Sequence, residues 1–324
     1  MSETKFETFT FETPVPVLDQ RDFWGYLQSV WNGRWYEPPM SFDSLAKALT
    51  SNPHHQSAIN YKANLLAGHF KPHKLLSRPD FKRLALDFLV FGNAYVERRT
   101  SMLKTTTALK PTLARWTRVA KDDQIMMLID GEEHFFDPGS VFQMVEPDIS
   151  QELYGLPGYL GAMQSALLNE AATLFRRKYY INGSHAGFIL YLTDQGANQE
   201  DIDGLRKALK EAKGPGNFRN LFMYAPGGKK DGLQLIPISE VTAKDEFYYM
   251  KNVTRDDVLS AHRVPPQLLG IIPGNAGGFG SVEQAAQVFF RNEIVPLEAS
   301  FTAINDWLDE EVVAFNPYEP IAAA

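Results

Sequence analysis

Four places in this 324-residue chain hold side chains whose types could do chemistry: His54-His55, Asp256-Asp257, Asp309-Glu310-Glu311, and the glycine-lysine run PGGKKDG at 226–232. The histidines could begin a metal site. Adjacent side chains on a helix point apart, however, no further His falls at a ligand spacing, and the chain has no Cys. The carboxylates could hold Mg²⁺ for nuclease-like or phosphoryl-transfer chemistry if they converged from separate elements. Solvated faces and helix-start charges are the plainer reading. His262 lies near Asp256 and Asp257, but no nucleophile elbow accompanies it, and a cation at a helix C-terminus is expected. PGGKKDG is not a Walker loop, because Met223 stands where that motif needs Gly and Lys230 where it needs Ser or Thr. It reads as a hairpin turn, and GPGNFRN at 214–220 as a structural loop. Neither a catalytic centre nor a metal or cofactor is expected. The best local candidate for contact with phosphate or an acidic partner is Arg176-Arg177-Lys178, followed by Tyr179-Tyr180; compensation of a helix dipole explains it equally well.

Hydrophobic periodicity places these groups on elements. From Ser41 to Arg99 apolar residues recur at three- and four-residue intervals, which predicts two or three packed helices. Residues 110–150 hold short β-rich runs separated by Asp-Gly and Pro-Gly, a small antiparallel sheet. A helix follows with Leu160, Met163, Leu167, Ala171, Leu174 and Tyr179 on one face and Gly183 as its terminator. Residues 184–238 read as strand, helix, strand, strand. One helical stretch begins at Ser239 and a second, short one at Thr254 with Asp257. Then comes HRVPPQLLGIIPGNAGGFG. Pro265 and Pro266 stop the helix and fix the exit direction, whereas Gly274, Gly277, Gly278 and Gly280 leave the middle soft. Ser281 with Gln284 caps a long helix that Pro296 should kink, and EEVVAFNPY reads as a final strand. The first thirty residues read as an extended arm.

Hydrophobic residues at 44% and charged residues at 22% describe a folded chain large enough for two or three units. No apolar run spans a bilayer, and the start MSETKFETFTFET has neither a basic leader nor an apolar core, so secretion and membrane insertion are not expected. The net charge of −7 argues against a protein that coats nucleic acid, so any DNA contact is expected to be local or loose. Charge is segregated: residues 159–230 carry ten Lys/Arg against six Asp/Glu, whereas 231–324 carry five against fourteen.

The order of the pieces says more than any one motif. A long helix ending in FRRKYYINGSHAGFILYL precedes a helix-bearing insert with KGPGNFRNLFMYAPGGKKDGLQLIPIS. KDEFYYMKNVTRDDVLSAHRVPPQLLGI and a glycine-rich loop into a helix then follow. Over 150–316 this resembles the portal proteins of tailed bacteriophages, within them those of P2-like and PBSX-type phages. The resemblance implies an α+β portal fold. Its parts would be an N-terminal arm and mixed α/β wing at 1–158, long stem helices at 159–183 and 239–263, and a small α/β clip at 184–238. A tunnel-loop region at 264–280 and a long helix with a wing strand at 281–324 would complete it, with the crown reduced or absent. The resemblance also implies a non-enzymatic, twelve-fold homo-oligomeric ring at a capsid vertex, assembled in the host cytoplasm and part of the virion. Double-stranded DNA would pass through it, and its partners would be the terminase, the major capsid protein and head-completion or neck proteins. Gly274, Asn275, Ala276, Gly277, Gly278, Phe279 and Gly280 would face the channel. Arg176, Arg177, Lys178, Arg219, Lys229 and Lys230 are candidates for DNA or partner contact. The competing readings are a metal-dependent nuclease using the C-terminal carboxylates, and an adaptor ring that threads no DNA.

Overall fold

The computed structural model describes residues 29–150, 152–181, 188–192, 233–237, 243–271 and 281–318. Three helices of its first part each begin on a side-chain oxygen. Ser41 accepts from the Ser44 amide ahead of α1 (Phe42–Ser51). Asn52 accepts from the His54 and His55 amides ahead of α2 (Pro53–His69), with Pro53 in the first turn. Ser77 does the same for Asp80 ahead of α3 (Arg78–Phe91). Such caps satisfy donors that no intrahelical carbonyl reaches.

The helical reading to Arg99 ends early. Gly92, at φ 65, closes α3, and NAYVERRT is strand β3 (Asn93–Thr100). The cause lies far along the chain. A Cβ on Gly92 would stand 2.6 Å from the Leu156 carbonyl carbon, and one on Gly155 would stand 2.3 Å from the Gly92 oxygen. Only glycines permit that backbone crossing. Buried Asn93 clamps it, donating to the Phe91 and Gly155 carbonyls and accepting from the Gly155 amide. Beyond it, Tyr95 and Val96 suit a strand.

Where one small sheet was expected, there are two, both antiparallel. β3 is the centre of three strands, between β4 (Thr106–Pro111) and β8 (Val141–Val145). The other sheet runs in the order β1 (Val30–Trp31), β2 (Trp35–Glu37), β5 (Thr117–Ala120), β6 (Ile125–Ile129), β7 (Glu132–Phe135). The Asp-Gly signal is a two-residue hairpin between β6 and β7, with Asp130 at φ 51 and Gly131 at φ 84, as a primed turn requires.

The described residues fall in two compact units, Leu168–Asn252 and Val17–Leu167 with Val253–Ala324. The larger is built on two apolar clusters. One includes stacked Phe70 and Phe81 with Phe88 and Phe301 edge-on; the other gathers Phe42, Phe91, Tyr95 and Tyr154. α4 (Met163–Ile181) and α5 (Ala243–Ala261) each contribute to both units. In the smaller unit, β9 (Phe188–Leu192) pairs antiparallel with β10 (Leu233–Pro237). There, Asn169 on α4 donates to the Lys251 carbonyl on α5, and the Lys251 amine donates to the Thr173 hydroxyl.

α5 is one helix, not two. Thr254, read as a second start, is buried in its interior, and Asp257 accepts from Ser165 of α4. After the loop come α6 (Val282–Phe289), a π-helical turn (Phe290–Ile294) and α7 (Val295–Leu308). The Ser281/Gln284 capping box forms as expected. The effect of Pro296 appears as the π turn just before it. Proline cannot donate to Asn292, and its ring crowds that carbonyl. Widening the turn relieves the clash, and the Val295 amide reaches back to Phe290. EEVVAFNPY is not a strand beyond one bridge between Phe315 and Phe70. The Asn305 side chain takes the backbone groups a sheet would have used, accepting from the Val312 and Val313 amides and donating to the Val313 carbonyl.

Candidate functional site

α2 carries His55, Lys62 and His69 at seven-residue spacing, hence on one face and about 10 Å apart along the axis. Each meets a partner near a root of the glycine-rich loop or on the helix that follows it.

The first rung is neutral. His55 Nδ1 and His262 Nε2 are 2.8 Å apart, so one donates and the other accepts. Tyr159 packs edge-on to His55 and stacks on His262, while its hydroxyl donates to the Val90 carbonyl. Burial pulls His55 down to about 4 and, with His55 and Lys62 adding to the effect, His262 to about 2. His262 is therefore not the helix-end cation expected from sequence: at 3% exposure an imidazolium would lose its hydration without gaining a counter-charge. His55, named in the metal reading, spends one ring nitrogen on His262.

The second rung is ionic. The Lys62 ammonium, 6% exposed, donates to Glu293 Oε1 at 2.5 Å, and Arg263 donates to Glu293 Oε2 at 3.0 Å. Burial pushes Lys62 below its ordinary value, and Glu293 beside it resists that. Both oxygens of one buried carboxylate are thus used. Glu146 stands nearby with its pKa raised, first by burial, and with no side-chain hydrogen bond among the described residues. A cavity of about 150 Å³ opens beside these groups, lined among others by Lys62, Glu146, Tyr159, His262, Arg263 and Glu293.

Two local irregularities deliver the ion pair. Val264 donates to Leu259 and Arg263 to Ser260, a Schellman ending of α5 with buried Val264 as its apolar contact. Its left-handed position, usually glycine, is Arg263 at φ 55. On the other side, the π turn faces Glu293 inward with Phe290 and Ile294.

The third rung is looser. His69 Nδ1 and Glu298 Oε1 are 3.9 Å apart, and neither atom has a hydrogen bond. Burial raises Glu298 to about 7. His69 packs its ring on Phe290 and Tyr318.

Of the residues singled out from sequence, Arg176 and Arg177 are exposed on α4, and Arg176 lies near enough to Lys251 to lower its pKa further than burial alone does. The Lys178 side chain, Arg219, Lys229, Lys230 and the whole of Gly274–Gly280 lie outside the described residues. The carboxylates do not gather: Asp256 pairs with Arg255, Asp309 closes α7 at φ 54, and Glu310 lies near His73 and Lys74. Among the described residues, no three His, Asp or Glu side chains converge on a metal position. Sequence reasoning missed the ladder, although polar residues at 55, 62 and 69 on an otherwise apolar helix face were its visible sign.

The arrangement ties the end of α5 and the π turn to α2, on a fold that others share. Residues 54–317 match the phage portal protein family. The chain is 51% identical over 319 residues to a probable portal protein of Escherichia phage P2, covering 98% of this chain and 93% of that one. It is 36% identical over 274 residues to the probable portal protein of Haemophilus phage HP1, covering 82% and 79%. Among solved structures, the neck of a native gene transfer agent particle computed with C12 symmetry superposes with a TM-score of 0.65, at 19% identity and 88% and 86% coverage. An HK97-family phage portal protein from Corynebacterium diphtheriae does so at 0.61, with 15% identity and 84% and 94% coverage. The chain belongs to the phage portal protein family. Its fold is α+β and its function that of a capsid portal, a component of the virion. Among the described residues, no helix is long and apolar enough to cross a membrane.

Proposed function

We propose that twelve copies of this chain form a ring at one capsid vertex, assembled in the host cytoplasm, through which double-stranded DNA is packaged and ejected without chemistry by the ring itself. The observation that carries this is the 51% identity to a phage P2 portal protein over 98% of the chain. In this reading 159–183 and 239–263 are the stem and 184–238 the clip, where the terminase and later the head-completion proteins dock. Residues 1–158 are the wing that meets the capsid protein, and Gly274–Gly280 are the loop facing the DNA. Arg176, Arg177, Lys178, Arg219, Lys229 and Lys230 supply sparse cations.

Two physical features agree with it. A conduit must not grip its cargo, because each neutralised phosphate releases counterions and adds affinity; a chain of net charge −7, repeated around a ring, avoids that. Exposed Leu168, Tyr248 and Tyr249 give the smaller unit apolar surface for neighbouring copies to cover. Mass measurement and negative-stain microscopy should show a ring near twelve times 36.5 kDa. Replacing Gly277 and Gly278 by Val should spare that ring and reduce DNA packaging. A persistent monomer, or packaging unchanged by those valines, contradicts the respective part of the proposal.

A further inference from the structure

We infer that Glu293 is the positioning residue of the glycine-rich loop, its carboxylate tying both roots of the loop to α2 through Lys62 and Arg263. The functional weight of this rests on the reading of 274–280 as the DNA-facing loop. The tie itself does not.

Arg263 immediately precedes the entry root 264–271, and Glu293 lies just past the exit helix α6. Arg263 and Glu293, which flank 264–292, meet at 3.0 Å, and Lys62 at 2.5 Å fixes that contact to the body of the larger unit. Each partner breaks a local rule to be there. Arg263 occupies a left-handed position where glycine would sit without strain, so its side chain is what the position needs. Glu293 is aimed by the π turn ahead of Pro296, an irregularity found frequently at functional sites. Lys62 is buried at a place on α2 where an apolar side chain would suit the neighbouring Ile59, Ala63 and Leu66.

Stability is a poor explanation of such a group. Replacing a buried ion pair by apolar residues of similar volume is often neutral or favourable, whereas its directional bonds admit one arrangement of the three elements. The cavity of about 150 Å³ beside the carboxylate means that packing alone does not fill this corner. α6 also packs directly on the 3₁₀ turn Pro266–Leu269, and the clasp adds a directional tie to that contact.

The test is amide hydrogen exchange on assembled full-length protein, read segment by segment. In Glu293→Gln, amides of 264–271 and 282–289 should exchange about tenfold faster than in wild type, with α3 unchanged. Arg263→Met, altered at a largely exposed side chain, should loosen 264–271 in the same way and guards against a Glu293 variant that fails to fold. Glu146→Gln, which removes the neighbouring carboxylate, should change root exchange by less than about twofold. Equal exchange at the roots in wild type, Glu293→Gln and Arg263→Met overturns the inference, as does a Glu146→Gln effect as large as that of Glu293→Gln. Packaging is scored separately. If the roots loosen while Gly277→Val/Gly278→Val packages normally, the clasp stands and the DNA-facing reading of the loop fails.

Discussion

His55 and Lys62 stand two turns apart on α2 and hold roots of the same loop, one without charge and the other with it. The histidine rung is a pair of rings packed on Tyr159, edge-on from His55 and stacked on His262, and burial lowers the pKa of both histidines. The lysine rung is an ion pair drawn out of water. Both are buried to a similar degree, so exposure does not explain the difference. The neutral rung joins the Asn52-capped start of α2 to His262, whose own backbone closes α5 by donating to Val258. The ionic rung joins a left-handed arginine to a π turn, two conformations that the backbone alone would not choose. Charge is found where geometry has to be imposed.

Breaking the ionic rung on one side should have the largest effect. Lys62→Met leaves Glu293 with half its partners in a buried site, and about 3–4 kcal/mol of stability should be lost. Lys62→Met/Glu293→Met should recover most of that. Urea denaturation at fixed protomer concentration measures both, since ring assembly shifts apparent stability. If the double variant is no better than the single one, the pair contributes energy rather than specificity, and the contrast drawn above is wrong.

The neutral rung should give way more cheaply. His262→Leu strands a buried ring nitrogen of His55, for about 2 kcal/mol. Its pH signature follows from both folded pKa values lying below the ordinary 6.5. The contribution of the pair is complete above about 6.5 and is lost as pH falls through about 4. Thermal melts from pH 7 to 4 should therefore show an acid-side loss of stability that is smaller in His55→Leu/His262→Leu.

The third rung tests the same logic with the opposite sign. Glu298, raised to about 7 by burial, favours the folded state when protonated, so its contribution is complete below about 4.5 and lost as pH rises through 7. Glu298→Gln should gain about 1 kcal/mol at pH 8 and nothing at pH 4. An equal gain at both pH values would mean that packing, not ionisation, sets the effect.

Local signals were legible in the sequence and long-range ones were not. Ser281 and Gln284 announce a helix start because a capping box needs only four consecutive residues. Pro265-Pro266 could be read as a stop for the same reason, and α5 ends at Ala261 just before them. Gly92 could not be read as the end of α3, because what demands a glycine there is Leu156 and Gly155 crossing behind it. Portal membership could be read from the order of pieces, yet the ladder that holds the loop could not. Its members on α2 were visible at 55, 62 and 69, but the partners of His55 and Lys62 lie 207 and 231 residues away. Arg263 was hidden differently, as an arginine where the helix-end pattern calls for glycine.

That substitution is the smallest in expected energy and separates the two rungs most cleanly. Arg263→Gly removes the left-handed strain of a non-glycine residue, a gain of about 1 kcal/mol. It also removes a partly exposed ion pair, a loss of similar size. Net stability should change by less than about 1 kcal/mol, and the melting temperature hardly at all. The His55–His262 rung, one residue away, should keep its acid transition. Root exchange should nevertheless rise in 264–271, because the contact that closes the loop is gone while the helix end is more relaxed than before. A clear rise in melting temperature with unchanged exchange would mean that glycine is simply the better residue there. The arginine would then have no positional role, and the charged rung would reduce to Lys62 and Glu293.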